Sequence, residues 1–174
     1  MKKNGLLDKD LLKQYYSIFS NKNNLKDFKS YYLAFVRFIN QNREFFTDTI
    51  LEKWDLNVLI TLNPDNYLVK NPDISLPLEE KRLRGDYDDI DTLVMSIRDT
   101  LWDMITIYSG KDCPITPNDE LRYILLKNND GKEKLLLECA ACGWTENIDG
   151  NEYNDPTGTV YPVNKKDLER YFLS

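Results

Sequence analysis

A change of hydrophobic rhythm near residue 112 constrains this chain more than any other feature. Before it, apolar residues recur every three or four positions, the period of a helix with one buried face. Leu7, Leu11, Tyr15 and Phe19, with Leu12 and Tyr16 beside them, predict a helix over 6–19. After the polar break at 20–24, Leu25, Phe28, Tyr32, Phe35, Phe38, Ile39 and Phe45 predict a long helix over 25–45 with an aromatic stripe. Thr47 and Asp48 can cap a short helix through Trp54. Asp86 to Asp91 opens another, whose apolar face runs Ile90, Leu93, Val94, Ile97, Leu101, Met104, Ile105 and Tyr108, with Ser109 and Gly110 as its stop.

After Cys113, Pro114 and Pro117 the character is β. The blocks 121–127 and 132–139 flank Asn128, Asn129, Asp130 and Gly131, a loop suited to an antiparallel hairpin. A further strand is expected after Gly143, and 153–163 reads mostly as loop because of Pro156, Gly158 and Pro162. Asn164 and Asp167 then start a terminal helix. The fold class is therefore α+β: N-terminal helices packed on a small C-terminal antiparallel sheet, with a closing helix. The whole of 1–174 is expected to fold as a single domain, 1–112 mainly helical and 113–174 the sheet layer.

Histidine is absent. Ser-His-Asp and Cys-His catalysis and His-containing zinc sites are thereby excluded. Neither G-x-G-x-x-G nor G-x-x-x-x-G-K-S/T occurs, which argues against a nucleotide-dependent enzyme. Net charge is −6, placed unevenly: +4 over 1–53, −6 over 54–112 and −4 over 113–174. Such a body repels phosphate backbones and attracts basic macromolecules. Asp8, Lys9 and Asp10 interrupt any signal-peptide core near the N-terminus, no run reaches membrane-spanning length, and three cysteines fit a reducing compartment. A cytoplasmic protein is expected.

Cys139-Ala140-Ala141-Cys142-Gly143-Trp144, entered from an apolar strand, has the form of a zinc knuckle: the two-residue gap lets both sulfurs face one tetrahedron. Over this one turn it resembles an arm of a zinc-ribbon or rubredoxin-like site. Such sites need a second pair, and only Cys113 is left, so a fourth ligand would have to be a carboxylate such as Glu138 or Glu146. The plainer reading is a tight turn carrying two buried, reduced thiols. No cofactor is expected on that reading; if a metal is held, its ligands are Cys113, Cys139 and Cys142.

Glu79, Glu80, Asp86, Asp88, Asp89 and Asp91 form an acidic cluster. Some of these acids serve the positive end of a helix dipole. The surplus suits a face for a charged partner, with Tyr87 as a contact anchor. In overall character, and in the turn Glu138-Cys139-x-x-Cys142-Gly143-Trp144-Thr145 followed by Asp149-Gly150, the chain resembles immunity proteins of bacterial polymorphic or contact-dependent toxin systems. The resemblance implies a non-enzymatic inhibitor that covers the basic active or substrate site of a cognate toxin domain, without carrying any catalytic residue across. The alternative is a regulatory or nucleic-acid-associated module with a degenerate zinc ribbon.

Overall fold

The computed structural model describes residues 7–20, 28–67, 87, 89–155 and 157–173. The fold is α+β, in the order the sequence predicts. The described residues fall into two compact units: those within 1–65 and 69–104, and those within 66–68 and 105–174. The change of character expected near 112 comes slightly earlier, at 104–105.

The first unit is helical. Its elements are α1 (Lys9–Ser20), α2 (Phe28–Gln41), α3 (Asp48–Lys53), α4 (Leu56–Leu59) and α5 (Ile90–Ile105). Asp8 caps α1, its carboxylate accepting from the amides of Asp10 (2.8 Å) and Leu11 (3.1 Å). The aromatic stripe is core, as burial of large rings requires. Tyr15 lies at its centre, with ring centroids 5.3 Å from Phe19, 5.6 Å from Phe38 and 5.7 Å from Tyr87. Tyr31 and Phe35 pack edge to face at 5.0 Å.

Helix α2 stops at Gln41, short of the expected Phe45, because Asn42 redirects the chain. Its buried side-chain amide donates to the Phe38 carbonyl (2.9 Å) and to Gln14 (3.2 Å). The amides of Phe45 and Phe46 then both return to the Asn42 carbonyl, and Phe46 is the ring that becomes fully buried. Helix α5 also ends earlier than expected. Tyr108 and Gly110 belong to a strand, and Gly110 holds its positive φ of 80° within that strand, where the pairing is irregular, rather than at a helix terminus.

The second unit contains β1 (Tyr108–Asp112), β2 (Glu120–Lys127), β3 (Glu133–Glu138), β4 (Thr145–Asn147), β5 (Thr159–Pro162) and α6 (Lys165–Phe172). All pairings are antiparallel, and β2 is central. One edge of β2 pairs with β3; the other is shared, β1 meeting it at Glu120 and Arg122 and β5 from Ile124 to Lys127. The loop expected over 153–163 thus contains a strand. Two glycine and proline signals concealed it: Pro162 closes the strand opposite Ile124, and Gly158 precedes it with φ 143°.

The apolar runs of β2 and β3 do not alternate because both faces pack. Ile124, Leu126 and Leu136 meet Tyr153 and Val160 on one side; Leu125, Leu135 and Val163 meet Tyr161, Leu168 and Tyr171 on the other. Asn164 and Asp167 close a reciprocal capping box at the start of α6, as predicted. No helix among the described residues is long and apolar enough to cross a membrane.

Candidate metal centre

Antiparallel register brings the two cysteine-bearing turns to one end of the sheet. The turn after β1 leads into β2, and Arg122 of β2 is paired with Glu138, the last residue of β3 before the second turn. The two turns are built alike, the first one residue longer. The Cys113 amide donates to the Asp119 carbonyl at 2.7 Å, and the Cys139 amide to the Trp144 carbonyl at 2.8 Å. Each turn reverses through a left-handed residue, Asn118 (φ 66°) in one and Gly143 (φ 75°) in the other. In the first turn two amides, two and three residues on, face the sulfur: Ile115 and Thr116 donate to Cys113 Sγ at 3.4 and 3.2 Å.

The result is a cluster of three thiols. Their Sγ atoms all lie within 4.8 Å of one another, and Cys113 Sγ stands 3.6 Å from Cys142 Sγ. This is far beyond an S–S bond, and all three cysteines are free. Sulfurs bonded at about 2.3 Å to one tetrahedral ion stand roughly 3.8 Å apart, so the cluster has the dimensions of a thiolate metal site. Cys113 and Cys139 are buried with Leu121 and Leu137, against Tyr123 and Trp144. Cys142 is exposed, contrary to the expectation that both thiols of the Cys-x-x-Cys turn are buried. That turn has a closed and an open side.

Local fields act differently on the three sulfurs. Burial opposes ionisation of Cys113, but the Thr116 and Ile115 amides and the neighbouring thiols outweigh it and bring this thiol down to about 7. Burial pushes the Cys139 thiol up, against the pull of the Cys142 and Ala141 amides. Cys113 therefore gives up its proton to a cation more readily than Cys139 does.

Neither carboxylate suggested as a fourth ligand is available. Glu138 accepts two bonds from the Arg122 guanidinium, at 3.0 and 2.6 Å. Glu146 is buried, paired with Lys111 and accepting from Trp144 Nε1 at 3.2 Å. The group that does face the cluster is Thr116, whose Oγ1 lies 3.9 Å from Cys139 Sγ. Sequence reasoning passed over it, although Cys113-Pro114-Ile115-Thr116 has the spacing of Cys139-Ala140-Ala141-Cys142 with threonine in place of the second thiol.

No family model matches the chain, and no curated protein or solved structure is similar enough to count as a relative.

The acidic cluster is only partly within the described residues; Glu79, Glu80, Asp86 and Asp88 lie outside them. Tyr87, expected as a contact anchor, points inward, with its hydroxyl 3.4 Å from that of Tyr15. Asp89 is exposed but caps α5, accepting from the Thr92 amide (2.8 Å) and hydroxyl (2.9 Å). Asp91 accepts from Trp54 Nε1 (2.7 Å) and Lys53 Nζ (3.0 Å), and these two bonds hold its carboxyl below the usual range.

Proposed function

We propose that the C-terminal unit is a metal-stabilised β-ribbon module and that the chain works as a binding protein rather than an enzyme. The observation that carries the metal is the convergence of three free sulfurs within 4.8 Å of one another, one pair 3.6 Å apart, with the Ile115 and Thr116 amides already facing one of them. Zinc suits this donor set: it is redox-inert, accepts thiolates and imposes no geometry beyond the tetrahedron. A chain without histidine can hold it only through sulfur and oxygen.

Elemental analysis of protein purified without an affinity metal tests this. One zinc per chain, retained through gel filtration and lost from C139S, is the expected result. A metal-free protein whose three thiols all react stoichiometrically with a disulfide reagent, and which takes up no added zinc, overturns it.

The partner is a protein, and net charge −6 favours a basic one. In keeping with the resemblance to toxin-system immunity proteins, we read it as a cognate toxin domain whose basic surface this chain covers one to one. Co-expression with the product of the adjacent gene tests that reading. A one-to-one complex that weakens steeply with salt supports it; no complex at low salt contradicts it.

A further inference from the structure

A tetrahedral site needs four donors, and this chain supplies three sulfurs. The two turns identify what stands at the fourth corner. Each leaves a strand at a cysteine, is closed by that cysteine's amide and reverses through a left-handed residue, the first turn being one residue longer. Thr116 stands three residues after Cys113, as Cys142 stands three after Cys139, and its Oγ1 is 3.9 Å from Cys139 Sγ, within the span of the sulfur cluster itself. A neutral hydroxyl is a weak donor to zinc beside three thiolates, so this corner is left for a better one.

The cluster is open on its Cys142 side. Cys142 is exposed, Ile115 is 60% exposed, and a groove of about 390 Å³ runs beside them, bordered by Trp144, Tyr153, Glu138 and Glu152. Charge selects what enters. Zinc with three thiolates carries a net single negative charge, and Glu152 is exposed on the same groove, so a free anion arriving from solution is repelled on approach, unlike a donor tethered in the chain. A neutral nitrogen donor meets no such penalty.

Resting on the metal reading above, we propose that the centre is coordinatively open at the Thr116 corner and takes an imidazole from outside the chain, a donor the chain itself lacks. The imidazole binds through its unprotonated nitrogen, displacing water or the threonine hydroxyl, and no proton or electron is transferred to the metal.

Cobalt(II) substitution under anaerobic conditions reads this directly, because the visible ligand-field bands respond to a change of donor. Titration of the cobalt-loaded wild type with imidazole is expected to give a saturable shift of those bands at one imidazole per metal. T116C, which supplies a fourth thiolate, is expected to bind cobalt tighter by more than the roughly 10- to 100-fold carried by an outer-sphere contact, and to lose the imidazole response. T116V removes the hydroxyl without adding a donor and is expected to keep both the metal and the response. A histidine peptide flanked by lysines that binds more tightly than free imidazole identifies the source as a protein side chain; equal affinity identifies a small molecule.

Cobalt that binds wild type with bands indifferent to imidazole overturns the open corner while leaving the metal centre standing. So does loss of metal from T116V, which makes the threonine an indispensable ligand. Failure of wild type to bind cobalt at all removes the metal reading itself.

Discussion

Cys113 and Cys142 are separated by 29 positions in the chain and by 3.6 Å between their sulfurs. The sheet produces that proximity: β2 is shared by the strand before Cys113 and the strand before Cys139, so the two turns come out side by side. No bond joins these sulfurs, so the cluster that strand pairing assembles can take up a cation.

Metal binding should stabilise the second unit. A ligand that binds only the folded state adds about 2.7 kcal/mol when present at a hundred times its dissociation constant. Thermal melts with and without a chelator, followed by Trp144 fluorescence, should show a lower midpoint after chelation. C113S and C139S should melt at the chelated midpoint and not respond to zinc.

Gly158 is required by contact as well as by conformation. Its φ is 143°, and a Cβ built there would meet the Lys127 carbonyl oxygen at 2.4 Å. G158A should destabilise the β5–β2 pairing by about 1–3 kcal/mol, the range for a residue forced into a sparsely populated backbone region. A lower urea midpoint, with faster amide exchange at Val160 and Tyr161, is the expected readout.

Asp91 makes the helical unit sensitive to acid. Its carboxyl is lowered first by the Trp54 indole and then by Lys53. A group whose folded pKa lies below its unfolded value of about 3.9 contributes stability that is full above that value and lost as pH falls through the folded pKa. The side chains of Lys53 and Asp91 are 53% and 41% exposed, so solvent screening holds the effect to under about 1 kcal/mol. D91N should flatten the fall in stability below about pH 4 and change the emission of Trp54.

Tyr87 acts inside the helical unit. Y87A should cost about 3–5 kcal/mol, the usual result of emptying an aromatic core position. Y87F keeps the ring that packs against Tyr15 and should cost about 1 kcal/mol or less. Equal losses from both substitutions, measured by urea unfolding, would place the hydroxyl contact above the ring in importance.

The sequence made the elements legible where the pattern was periodic or a cap was local. Tyr15 and Phe35 lie on a stripe that only a helix buries, and Asn164 with Asp167 needs no distant residue to close its box. What stayed hidden depended on partners far along the chain. Val160 and Tyr161 look like loop between Gly158 and Pro162, and become strand only because β2 offers them the edge that β1 leaves free. Cys113 gains its place the same way, brought to Cys139 and Cys142 by strand pairing rather than by spacing. Thr116 was concealed because threonine is not counted as a ligand, and only the matching geometry of two turns marks its position.

X-ray absorption at the zinc edge of the purified chain tests the centre most directly. Three sulfur scatterers at about 2.3 Å with one lighter atom at about 2.0–2.1 Å are expected. A zinc shell made of oxygen alone, or no zinc bound after reconstitution under reducing conditions, would contradict it.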